Sequence, residues 1–138
     1  MIQRIQSLWL LLAAIFDAIT FRLPFYNGDW TKDTIPTPID LDADTTTPLL
    51  LITVVTGALA FAAIFLFGNR KLQLRLSIVG LLLAIGLLVA YFMEMQNFTN
   101  GTIALSCIFH FAVAALYILA IRGISADQKL IKSLDRLR

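Results

Sequence analysis

The chain has 138 residues, 59% of them apolar and 14% charged, where an ordinary soluble domain carries about 25% charged residues. That balance excludes a water-soluble globule, and the single cysteine, Cys107, excludes an intramolecular disulfide and a cysteine-histidine zinc cluster. The net charge of +2 is small, so the placement of the charges carries more information than their sum.

In chain order, the first apolar run extends from about residue 5 to 23 and is interrupted by Asp17 and Arg22. Its start, with Arg4 ahead of Leu8 to Phe16 and then Ala13-Ala14, also has the layout of a signal peptide, but Asp17, Phe21 and Arg22 spoil the small, neutral segment that cleavage needs. A polar loop over about 25–47 follows, kept extended in part by Pro36 and Pro38. Three uncharged stretches come next: Thr45 to Asn69 with 25 residues, Leu76 to Met93 with 18, and Met95 to Ile121 with 27. Crossing the hydrocarbon of a bilayer takes about 20 helical residues, so spans are expected at 48–68, 74–93 and 103–121 as well as at 5–23. The runs are continuous rather than alternating, which favours helices over a membrane barrel.

Nine of the eleven Lys and Arg residues (Arg4, Arg70, Lys71, Arg75, Arg122, Lys129, Lys132, Arg136 and Arg138) fall on one side of these spans. The other side holds Lys32 and the acids Asp29, Asp33, Asp40, Asp42, Asp44 and Glu94, with Arg22 at its border. By the positive-inside rule both termini are expected in the cytoplasm. Trp9, Phe65, Phe67 and Tyr117 then mark the inner boundary, and Phe25, Tyr26, Trp30, Tyr91 and Phe92 the outer one. The expected fold is all-α: a single domain over 1–138 forming a four-transmembrane-helix bundle, with a short amphipathic C-terminal helix in the tail 122–138.

The opening Met1-Ile2-Gln3-Arg4-Ile5-Gln6-Ser7 before an apolar run, the four runs themselves, and the ending Lys132-Ser133-Leu134-Asp135-Arg136-Leu137-Arg138 together resemble the bacterial membrane proteins grouped as domain of unknown function 4293. The resemblance covers the whole chain and implies a multi-pass protein of the bacterial inner membrane. It supplies no activity, cofactor or catalytic residue.

An ionisable residue inside a span is costly and usually faces the bundle interior, which makes Asp17 the first candidate. His110 lies at a similar depth in the last span, about 10 Å below the outer boundary at 1.5 Å per residue. Helices one and four are neighbours in an up-and-down bundle, so an Asp17 to His110 hydrogen bond is expected, with Ser106 one turn away and Arg22 reaching back from the surface. The pair reads either as a protonation site or as a helix clamp of about 1 kcal/mol. Cys107 and His110 are three apart on a helix and supply neither a metal set nor an oriented nucleophile.

Asp40, Asp42 and Asp44 alternate like the start of a calcium loop, but Thr45 and Leu51 stand where glycine and glutamate belong, so a solvated acidic loop is expected. Asn97-Phe98-Thr99 and Asn100-Gly101-Thr102 match glycosylation acceptors and equally suit a tight turn. Small residues at Ala14, Ala18, Gly57, Ala58, Ala62, Ala63, Gly80, Ala84 and Gly86 mark expected helix contacts.

Ser125 and Gln128 sit at capping-box spacing, as if the tail restarts as a helix after Gly123. Leu130, Ile131, Leu134 and Leu137 form an apolar stripe there, with Lys129, Lys132 and Arg136 nearly opposite it and Asp135 to one side, suited to lipid or to a partner protein.

No metal site, cofactor, catalytic group or nucleic-acid signature is expected, and the protein is read as no enzyme. The expected role is an accessory or assembly subunit of a larger membrane complex, with a homodimeric proton-coupled transporter using Asp17 and His110 as the alternative.

Overall fold

A computed structural model describes residues 2–31 and 34–137, with side chains described from residue 5 onward. Met1, Lys32, Asp33, Arg138 and the side chain of Arg4 lie outside the described residues. Four helices, α1 (Ile2–Ile19), α2 (Thr47–Phe65), α3 (Arg70–Met95) and α4 (Cys107–Arg136), and three short strands, β1 (Tyr26–Trp30), β2 (Thr37–Leu41) and β3 (Phe98–Ile103), follow one another in the order α1-β1-β2-α2-α3-β3-α4.

The helices form a ring in which α1 packs on α2, α2 on α3, α3 on α4 and α4 back on α1. α1 and α4 are therefore neighbours, as expected. Among the described residues three helices, α2, α3 and α4, are long and apolar enough to cross a membrane, and the described apolar stretch of α1 is Ile5–Ile19. Among the described residues the four expected spans become three, and α1 ends at Ile19 rather than near residue 23. The first run stops early because the Thr20 hydroxyl donates to the Asp17 carbonyl at 2.6 Å and Pro24 follows within one turn.

The all-α expectation is also corrected. The strands pair antiparallel in the order β2-β1-β3, with Tyr26 opposite both Leu41 and Ile103. The expected outer loop is thus half sheet, and of the expected tight turn at Asn97 to Thr102 only Asn97 is in a turn, the rest lying within β3. Opposite Gly28 the sheet bulges: Asn100 takes a φ of 52°, and Gly101 lets the Tyr26 ring lie over the strand. Phe25 ties the sheet to the helices, its N–H donating to the Leu41 carbonyl at 2.7 Å and its carbonyl accepting from the Ala104 N–H at 3.1 Å.

Two core layers result. Phe25, Leu41, Leu49, Leu87, Tyr91 and Phe98 fill the layer under the sheet. The lower layer is built mainly of Leu10, Ala13, Ala60, Ala63, Ala84, Val113 and Tyr117. Small residues do make the contacts, but only in part as expected: Ala63, Gly80 and Ala84 are buried, Ala14 and Gly57 are partly buried, and Ala18, Ala58, Ala62 and Gly86 are exposed.

α4 is one unbroken helix of 30 residues, so the expected break at Gly123 and the separate tail helix are not found. Gly123 is a packing residue instead. A Cβ there would meet the Gln6 side chain at 2.9 Å, and the Gln6 amide donates to the Gly123 carbonyl at 2.9 Å.

Candidate functional site

The end of the bundle beneath the sheet gathers polar side chains that the apolar helices would otherwise exclude. Asp17, in the last turn of α1, is 3% exposed and turns toward α2, where a Cβ at Gly57 would stand 2.5 Å from its Oδ2. Its Oδ1 is buried without a hydrogen-bond partner. His110, one turn into α4, is also 3% exposed. Its ring stands edge-on to Phe25 and to Tyr91, with centroids at 5.1 Å and 4.7 Å, while those two rings stack on each other at 4.7 Å. The Ser106 backbone, one turn back, offers the imidazole an acceptor, but neither ring nitrogen makes a well-aligned hydrogen bond.

Asp17 and His110 therefore share one end of the bundle without being joined. The expected hydrogen bond is not formed, because Gly57 opens space for the carboxyl on α2 while Phe25 and Tyr91 enclose the imidazole. Ser106 donates instead to the Pro24 carbonyl, fixing the sheet linker to the start of α4. Arg22 is exposed and makes no ion pair with Asp17.

Two tyrosines belong to this interior and were expected at the membrane boundaries. Tyr91 is fully buried, with its hydroxyl toward Thr53 but short of a well-formed bond. Tyr117 is also fully buried, and its hydroxyl donates to the Thr56 carbonyl at 2.6 Å. The signal that could have placed Tyr117 is Gly80, the small residue on α3 that its ring covers. Thr53 and Thr56 satisfy themselves by donating to the Leu49 and Ile52 carbonyls at 2.7 Å each. In a low-dielectric interior, ionisable groups left without partners are costly, which distinguishes Asp17 and His110 from these self-satisfied hydroxyls.

At the sheet side, Asp42 is bonded to Thr45, whose hydroxyl donates to Asp42 Oδ1 at 2.8 Å and accepts from the Asp42 N–H at 2.9 Å. Partial burial, followed by a hydrogen bond from neighbouring Asp44, raises the Asp42 pKa above the usual carboxylate range. Asp40 and Asp44 are exposed, and among the described residues no three His, Cys, Asp or Glu side chains converge on one point.

The opposite end is held by amides. The Gln73 side chain donates to the Ala63 carbonyl at 3.0 Å, and Gln128 donates to the Arg70 carbonyl at 3.0 Å, clamping α4 to the start of α3. Asp127 faces Arg70 at 3.8 Å. Beyond these anchors the last turns of α4 and the following Leu137 are exposed, including Leu130, Ile131 and Leu134 and the basic Lys129, Lys132 and Arg136. Ser125 and Gln128 start no helix; Gln128 acts as the clamp.

Three helices suited to crossing a membrane, a buried polar layer under a small sheet, and an exposed helical extension define a helical membrane protein. Residues 2–137 match the family described as domain of unknown function DUF4293, and the chain belongs to that family. No curated protein and no solved structure matches it.

Proposed function

We propose that the protein is an accessory or assembly subunit of a larger complex in the bacterial inner membrane, without catalytic activity of its own, and that it docks its partner through the end of α4. The observation that carries this reading is the continuity of α4. A helix of 30 residues measures about 45 Å at 1.5 Å per residue, well beyond what a span requires. Because α4 does not break at Gly123, its last turns continue the axis of the span rather than turning into the plane of the membrane. An amphipathic helix that stabilises itself on lipid lies in that plane. A stripe with Leu134 at 59% and Leu137 at 86% exposure, carried away from the bilayer, is better suited to a protein groove. The basic end of the bundle faces the cytoplasm in this reading and the sheet faces the other side.

Gentle extraction of the full-length protein from native membranes, with mass spectrometry of what is retained, tests it. One partner at near-equal stoichiometry is the expected result. Recovery of the protein alone would count against the proposal.

The burial of Asp17 and His110 without hydrogen-bonded partners supports a second reading, a homodimeric proton-coupled transporter, since unsatisfied intramembrane ionisable groups mark ion pathways. Reconstituted protein should then show pH-driven flux that Asp17→Asn abolishes while the fold is kept. Flux retained in that variant would exclude the role of Asp17.

A further inference from the structure

We propose that the groove between the α2–α3 turn and the outer part of α4 is a binding site for the phosphodiester headgroup of an anionic phospholipid.

The groove encloses about 890 Å³ and is lined by Phe67, Arg70 and Lys71 on one wall and by Gln128, Ile131 and Lys132 on the other. Three cations from two separate elements thus face one concavity, with a single carboxylate, Asp135, on its α4 wall. Lys71 and Lys132 are exposed and take part in no ion pair among the described residues. The Arg70 guanidinium is only loosely engaged. Its Nη2 pairs with Asp127 at 3.8 Å, beyond hydrogen-bond distance, and its Nη1 is buried without an acceptor. Lys71 and Lys132 supply two exposed ammonium charges that suit phosphate oxygens, and the Arg70 guanidinium adds a third positive charge beside them.

Position separates a lipid from a soluble phosphate. The groove opens where the apolar helices α2 and α3 end, at the depth of headgroups for a bundle of these spans. Phe67, 62% exposed in the turn after α2, gives the groove an apolar lip on its membrane side that a free anion would not use but acyl chains would cover. Basic pockets between membrane helices are a recurrent way of holding anionic headgroups.

The walls are held in place before any lipid arrives. Gln128 clamps α4 to the Arg70 carbonyl, and Asn69 caps α3 by accepting from the Leu72 N–H at 3.3 Å. At about 100° per residue Gln128, Lys132 and Asp135 lie nearly opposite Leu130, Leu134 and Leu137 on α4, with Ile131 between the two faces.

The test is native mass spectrometry of the delipidated full-length protein in detergent, titrated with dioleoyl phosphatidylglycerol or dioleoyl phosphatidylcholine. A one-to-one phosphatidylglycerol adduct at least about tenfold tighter than the phosphatidylcholine adduct is expected. Lys71→Gln with Lys132→Gln should weaken it about fivefold or more, whereas Lys129→Gln with Arg136→Gln, the same charge change on another face of α4, should not. Both pairs lie on exposed positions, and the single change Lys132→Gln, expected to give part of the loss, serves if the first pair impairs folding. Equal affinity for the two lipids, or equal loss in the two pairs, would overturn the proposal. Displacement of the lipid by inorganic phosphate or glycerophosphate would overturn it as a lipid site and assign the groove to a soluble anion.

Discussion

The ring of Tyr117 on α4 covers Gly80 on α3, and its hydroxyl donates to the Thr56 carbonyl on α2 at 2.6 Å, so one side chain joins three helices. A Cβ at Gly80 would stand within 2.6 Å of the tyrosine hydroxyl oxygen, and the ring has nowhere to go without giving up that bond. Gly80→Ala is therefore expected to destabilise the bundle by about 1–3 kcal/mol, the usual cost of overpacking. Gly86→Ala, in open space on the same helix, should be neutral or slightly stabilising. Tyr117→Phe should cost about 1 kcal/mol, as interhelical hydrogen bonds do in membranes. Unfolding of the detergent-solubilised protein in increasing SDS compares the three.

Asp17 gives a contrasting expectation. A residue that clamps helices loses stability when neutralised, but Asp17 has no hydrogen bond from another helix to lose. Asp17→Asn keeps its shape against Gly57 and should leave stability within about 1 kcal/mol of the parent or raise it. The same SDS titration reads this, and a loss of several kcal/mol would show that the carboxyl has a partner after all.

The sheet should be sensitive at one backbone position. Asn100 adopts a φ of 52°, a conformation that asparagine and glycine tolerate and branched residues do not. Asn100→Gly should preserve the fold, while Asn100→Val should cost about 1–3 kcal/mol and open the strands to protease. Limited proteolysis followed by mass mapping of cuts between β1 and β2 distinguishes the two.

The turn into α2 carries a pH dependence whose sign is fixed by burial. Asp42 has a raised pKa in the folded protein, so the fold binds its proton more tightly than the unfolded chain does. The associated stability is present below the unfolded carboxylate pKa and is lost as pH rises through the folded value. Asp42→Asn retains an acceptor for Thr45 without the charge. It should raise the thermal midpoint slightly at neutral pH and have no effect where Asp42 is already protonated, which thermal scans across that range will show.

Much of the helical frame was legible because uncharged runs of the right length leave few alternatives to a spanning helix, and α2 and α3 sit close to their expected bounds. The sheet was not legible. Its strands are five or six residues long and contain Gly28, Pro38, Asn100 and Gly101, and β1 pairs with β3 across a separation that no local pattern encodes. Gly123 misled for a related reason. Glycine after Arg122 looks like a helix end, yet its role is to admit Gln6, which only the packing of α1 on α4 reveals.

At the candidate site, Asp17 stood out because a charge inside an apolar run is rare, and its burial follows from that cost. Its neighbour did not stand out. Asp17 meets Gly57 rather than His110, since which face of α1 turns to α2 and which to α4 depends on side chains from all four helices. Tyr91 and Tyr117 look like interfacial residues because each lies near the end of an uncharged run, and only the facing helices show that both are buried.

Docking through the end of α4 is tested most directly by substituting Leu130, Leu134 and Leu137 together with glutamine in the full-length protein and quantifying what co-purifies from native membranes. These side chains touch nothing that holds the bundle, so helix content and SDS resistance should be unchanged. A partner recovered at near-equal stoichiometry with the parent and reduced at least about tenfold with the variant is the expected result, the loss of about 1.4 kcal/mol or more of binding free energy. Recovery of the same partner at the same level from the variant would contradict a docking role for the stripe.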